Sequence, residues 1–259
     1  MLNTPPRLDW HCGLRTWGKA AYPANEMKSL RRELQSALSV PASLLKQANE
    51  QTIVALAAVH QAIQSSQKSA QDFAEWGIIA STRFLGRQKL AETLPTYESE
   101  GALAISPHLV AHHLPHSVSA CISVALGLRG LNWGFGGGTN LEEIFLALPG
   151  VLANDLPGIW VVVSSWEPEQ LPTPTDKVPE TLLCRAAALG LVLDPRGAAC
   201  VRVQVPGNSQ VTKTQAPCLT AKTMFDALTD SASPENLTQT QWTLAQGGSL
   251  SIQPTKHTS

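Results

Sequence analysis

Five cysteines, Cys12, Cys121, Cys184, Cys200 and Cys218, are scattered through 259 residues, an odd count with no C-x-x-C pair. That spacing excludes a disulfide framework and a zinc knuckle, and small, reduced, buried thiols are the expectation. Net charge is scarce as well, since 19 Lys+Arg against 20 Asp+Glu leave −1 and a pI near 6.6. No electrostatic footprint for nucleic acid or an anionic membrane results. Long apolar runs are missing too: stretches such as "GIWVVVSSW" at 158–166 are too short to span a bilayer, and the opening "MLNTPPRLDW" has no apolar signal core. A cytoplasmic protein with no membrane partner is the expectation. No solenoid-type repeat is present, and the 7 tryptophans are dispersed, so they form no base-stacking platform.

What is present is apolar substance, 43% hydrophobic against 15% charged. The chain can bury a full core as one large domain, or one plus an appendage. Residues 8–18, "LDWHCGLRTWG", read as a strand closed by glycine. Leu45, Thr52, Leu56, Val59 and Ile63 recur at helical spacing and predict one helix over 43–64, capped by Ser43. A buried strand is expected at 75–82, and a helical run over 108–126 is broken at Pro115. "GIWVVVSS" at 158–165 reads as a strand buried on both faces. "AAALGLVLDP" and the segment 199–205 read as a hairpin. After a polar linker at 206–220, one short helix, "TAKTMFDAL", and a weakly patterned tail are expected. Strands alternating with helices, then hairpins, predict a layered α/β fold with a mixed sheet.

The stretch "GLRGLNWGFGGGTNLEEIFLAL" at 127–148 runs from glycines into an amphipathic helix, with Thr139 at the junction. Three readings compete. "TNLE" fits a capping box in which Thr139 and Glu142 satisfy each other's backbone amides. Alternatively, the Gly134–Thr139 helix N-terminus cradles a nucleotide phosphate or an acyl thioester, with Glu167 as a ribose-binding acid, although "LRGLNW" is a poor buried strand and Thr139 replaces the third glycine. As a nucleophile, an internal Thr139 lacks the adjacent amine that activates threonine elsewhere. Among other candidates, His108, His112, His113 and His116 include i, i+4 pairs, but Pro115 interrupts the helix and no Cys or carboxylate lies nearby, so no metal site is expected.

The run from "HSVSACISVALGLRGLN" through "TNLEEIFLALPGVLANDLPGIWVVVSSWEPE" resembles the N-terminal half of the β-ketoacyl synthases, which have a thiolase-type fold. Without a gap, Gly127-Leu128-Arg129-Gly130-Leu131-Asn132 takes the family's GLRGPN place, Thr139 the nucleophilic cysteine's, and Glu167 the acid after the strand. His116 falls where synthases often have Asn, Asp194 where they usually have Glu, and Gln246 at a catalytic histidine; the second histidine has no counterpart. Condensation needs the thiolate and both histidines as a unit. The resemblance therefore implies a non-catalytic, chain-length-factor-type subunit, like the shortened ones of aryl-polyene pathways. It implies an active synthase as partner, acyl carrier protein reached through the complex, and no cofactor. An acyltransferase of the same fold with altered chemistry is the enzymatic alternative. It further implies a dimer interface at Trp133, Phe135, Gly136 and Gly137, a partner acyl tunnel lined by Leu109, His112 and His113, and a structural hydrogen bond from Arg129. The domain expectation is 1–205 as a synthase N-terminal-like domain and 206–259 as a linker with a degenerate, truncated C-terminal segment.

Overall fold

Eight strands form one mixed sheet in the computed structural model, which describes residues 8–136, 141–153, 155–167, 182–195, 199–205, 216–228, 237–244 and 248–254. They are β1 (Leu8–Pro23), β2 (Gly77–Thr82), β3 (Asn132–Gly136), β4 (Ile159–Glu167), β5 (Leu183–Val192), β6 (Ala199–Val205), β7 (Thr240–Thr243) and β8 (Ser249–Pro254), in spatial order β3-β2-β4-β5-β1-β6-β8-β7. The β3, β2 and β4 strands run parallel and every other pairing is antiparallel. Eight α-helices accompany them among the described residues: α1 (Met27–Leu38), α2 (Ala42–Gln47), α3 (Glu50–Ser65), α4 (Arg87–Glu100), α5 (His108–His113), α6 (His116–Leu126), α7 (Glu142–Leu152) and α8 (Ala221–Ala227).

Both faces of the sheet are covered. On one, α3 and α6 pack with α1 and α2 outside them, and on the other α7 and α8 close a second core. The first core is pinned by Trp160 of β4, wholly buried with its ring centroid 5.1 Å from Phe73 and 5.6 Å from Trp76. As its sequence predicts, β4 is buried on both faces from Ile159 to Ser165.

Three local expectations are corrected. The predicted helix over 43–64 is two helices: Ala48 and Asn49 are extended, and Asn49 caps α3 by accepting the Gln51 amide at 2.9 Å. A carboxamide at that position satisfies an orphan donor at the start of a helix. Ser43 caps nothing, since Pro41 is the N-cap of α2. β1 continues past Gly18 to Pro23, because that glycine marks close packing: a Cβ there would stand 2.2 Å from the Ala58 carbonyl oxygen of α3. Finally, β5 and β6 do not pair with each other. The long β1 lies between them, pairing Gly13–Pro23 with β5 and Leu8–Leu14 with β6, so a strand distant in sequence satisfies both edges.

The C-terminal residues extend this sheet. β8 pairs with β6, and Trp242, Leu250 and Ile252 are buried in the second core. Thr220 caps α8 by accepting the Thr223 amide at 3.1 Å. Four charges hold that helix to the sheet: Arg185 of β5 meets Glu167 at 2.8 Å and Asp226 at 3.2 Å, while Lys222 meets Asp226 at 2.6 Å and Glu167 at 3.4 Å. Cys12, Cys121 and Cys184 are buried as expected, whereas Cys200 is half-buried and Cys218 exposed.

Candidate functional site

β3 is an edge strand, hydrogen-bonded to β2 on one side. Its pleat sends Trp133 and Phe135 to one face, where their ring centroids lie 6.3 Å apart with an edge-on geometry. Trp133 is 42% exposed, while Phe135 packs against the second core. The opposite face is made of Asn132, Gly134 and Gly136. Asn132 donates to Ser123 Oγ at 2.9 Å. A Cβ on Gly134 would stand 2.3 Å from the His116 Cα, and one on Gly136 would stand 2.1 Å from the Pro115 side chain. The two glycines thus let the start of α6 lie directly on the strand. Gly137, Thr139 and Gln246 lie outside the described residues. The capping box expected of Thr139 and Glu142 is corrected: α7 begins at Glu142 with Leu141 at its N-cap position and no side-chain cap hydrogen bond, so Glu142 is the first residue of the helix rather than the third.

Through Pro115 and His116 the edge strand adjoins α5, which carries Leu109, His112 and His113. Leu109 is half-buried. His112 stacks on His108 at 6.3 Å between ring centroids and borders an apolar crevice with Thr52, Cys121 and Val124. Burial pushes the Cys121 thiol up to about 11, which makes it an inert wall of that crevice. The fold thus brings the edge strand and α5 side by side.

His113 faces inward, its Nδ1 3.4 Å from the Asn49 Nδ2. Burial holds its imidazole below the ordinary 6.5, with His112 and Lys89 acting in the same direction and Glu50 opposing. The folded chain therefore takes up this proton less readily than the unfolded one, so below about pH 6.5 stability is lost as pH falls. His113→Gln is expected to flatten the decline in Tm between about pH 7 and about pH 5 in calorimetric scans. An unchanged slope would assign the acid sensitivity elsewhere.

Large apolar side chains are exposed on several elements. Leu114, Val124 and Trp133 are 51%, 65% and 42% exposed. On α4, Leu90, Leu94 and Tyr97 form an i, i+4, i+7 stripe, 46%, 54% and 53% exposed. A helical stripe of large exposed apolar residues of this kind marks an interaction surface. The stripe was readable by periodicity, but Pro95 inside α4 disguises the helix. Arg129 anchors the turn before β3, its amide donating to the Ala74 carbonyl at 2.7 Å and its guanidinium pairing with Glu75.

The geometry bears on the phosphate reading of the glycine junction. Pro115 and His116 occupy one face of Gly134 and Gly136, and Glu167, the proposed ribose acid, is engaged by Arg185 and Lys222. No group of three His, Cys, Asp or Glu side chains converges on a metal-sized site among the described residues. No described helix is long and apolar enough to cross a membrane.

This sheet order, with helices on both faces, is the thiolase-like ketosynthase fold. The chain is similar in structure to a chain of the complex described as AntDE:AntF, a type II PKS acyl-carrier protein with its ketosynthase bound to the hexaketide, with a TM-score of 0.56, 12% identity, 96% of this chain covered and 100% of that one. It is likewise similar to a chain of the ketosynthase ApeO in complex with its chain length factor ApeC from Xenorhabdus doucetiae, with a TM-score of 0.54, 12% identity, 93% of this chain covered and 98% of that one. Both alignments are nearly complete on both sides, so the matched chains are about as long as this one. No protein-family model matches the sequence, and no curated protein is significantly similar to it.

Proposed function

We propose that this chain is a non-catalytic, chain-length-factor-type subunit that pairs with an active β-ketoacyl synthase in fatty-acid or polyketide/polyene biosynthesis. Acyl carrier protein meets it through the complex, and the role requires no cofactor. The observation that carries this reading is the ketosynthase-like fold, and the sequence resemblance that sets Thr139 at the family's nucleophile position supports it. A hydroxyl with no activating base is a poor substitute for a thiolate at a helix N-terminus. The exposed edge of β3, beside α5, supports Trp133, Phe135, Gly136 and Gly137 as the pairing surface, and Leu109, His112 and His113 as the segment lining the partner's acyl tunnel.

The test uses the purified chain, alone and with candidate synthases, given acyl and malonyl carrier proteins, with β-keto products read by mass spectrometry. Product is expected only when a synthase is present, and turnover by the chain alone would overturn the non-catalytic role. Thr139→Cys restores the thiol and is expected to alkylate with iodoacetamide, yet still to yield no product alone, because Gln246 cannot act as a protonated histidine. In the complex, Leu109→Trp is expected to shift products to shorter chains, since an added indole fills tunnel volume needed by the longest intermediates. An identical product distribution would remove this segment from the tunnel.

A further inference from the structure

α4 is a helix with little beneath it. It runs for 14 residues with Pro95 inside, and none of its residues whose side chains are described is buried. A helix of about 12–15 residues is marginal on its own in water, and most helical stability in proteins comes from packing an apolar face. Leu90, Leu94 and Tyr97 form such a face, and about half of each side chain is open to solvent. The packing this face needs is not supplied by the rest of the described chain.

The charges beside the stripe are sorted along the helix. Arg87 and Lys89 stand at its N-terminal end, Glu98 and Glu100 at its C-terminal end. That is the unfavourable order for the helix's own dipole, so stability within the helix does not account for it. Arg87 is held 4.4 Å over the Phe84 ring, and Lys89 reaches Glu92 at 3.4 Å, an exposed pair worth little by itself. At about 100° per residue, Arg87 and Glu98 flank the stripe on one side, Lys89 and Glu100 on the other. A second α4 laid antiparallel about a two-fold axis near Leu94 sets Leu90 opposite the other copy's Tyr97 and the two Leu94 side chains against each other. The same operation brings Arg87 within roughly 3 Å of axial rise of the other Glu98, and Lys89 equally close to the other Glu100. In a parallel pair in register, each of these charges would meet its like.

We propose that α4 is a self-association surface on which a second copy of this chain docks antiparallel. The contact is isologous, with one stripe and its four charges facing the same stripe and charges. Two short helices bury less than the roughly 1,200 Å² of a standard interface, so the dimer is weak and concentration-dependent. α4 carries none of the residues assigned to pairing with a synthase, and the inference does not rest on that role.

The test is analytical ultracentrifugation of the full chain over a concentration series at low and high salt. A monomer–dimer equilibrium is expected, weaker at high salt because the flanking pairs are screened. Leu94→Glu, which sets two carboxylates at the two-fold axis, should weaken it by at least about tenfold. Glu98→Lys with Glu100→Lys should abolish it, as should Arg87→Glu with Lys89→Glu, and mixing these two double variants should restore it. In a Cys218→Ser chain, a short bismaleimide should join copies carrying Leu94→Cys but not copies carrying Arg87→Cys, whose sites lie roughly 20 Å apart along the antiparallel pair. Circular dichroism checks the fold of each variant, and restoration on mixing separates lost association from unfolding. A chain that stays monomeric throughout the series, double variants that do not associate when mixed, or cross-linking at both positions would each overturn the proposal. A dimer dissolved by Trp133→Asp would belong to β3, and a Leu94→Glu chain that still self-associates but loses synthase affinity would give α4 to the synthase; either result overturns it as well.

Discussion

Trp133→Asp is expected to weaken association with an active β-ketoacyl synthase by at least about 100-fold, while the isolated chain loses only about 1 kcal/mol or less. The asymmetry follows from where the indole sits. It is 42% exposed on an edge strand whose described hydrogen-bonding neighbour is β2 alone. An unpaired edge without a charge of its own is a template for another strand, and a tryptophan at the centre of such a contact ranks among the residues that carry most binding energy. A carboxylate there must be desolvated on docking, which adds to the loss. Phe135 is the poorer probe, because it packs against the second core and its replacement mixes folding with binding. Calorimetric titration against the synthase, with Tm of the lone variant as control, measures both numbers. Unchanged affinity would remove β3 from the interface.

Trp160→Ala is expected to cost about 3–5 kcal/mol, the range for deleting a buried aromatic side chain. In a chain of this size that lowers Tm by roughly 10 °C. Trp160 is fully buried and joins Phe73 and Trp76 in one aromatic cluster beneath α3. Among the described residues its indole N–H has no hydrogen-bond partner. Trp160→Phe keeps most of the ring contact and removes that unpaired donor, so it should cost distinctly less. Urea titrations of both variants test the order. Equal losses would mean that cavity volume alone sets the cost at this site.

The amino-acid order by itself determined the elements whose pattern is local. The continuous β-branched run of β4, the break at Pro115 between α5 and α6, and the short helix α8 can all be read along the chain, because hydrophobic period and proline geometry act between near neighbours. The resemblance to the β-ketoacyl synthases around Thr139 is likewise read along the chain. Tertiary structure decided what depends on distant partners. β1 separates β5 from β6 because its 16 residues offer an edge to each, a choice no local propensity encodes. α1 and α4 escaped prediction, the first because its apolar stripe of Met27, Leu30 and Leu34 is sparse, the second because Pro95 interrupts it. The weakly patterned tail became β7 and β8 only where β6 offered an unpaired edge and the second core a place for Trp242. Likewise, Gly134 and Gly136 look like a ligand loop in sequence, and only packing shows them to be the surface on which Pro115 and His116 rest. A glycine declares the room it leaves, and the fold determines what fills it.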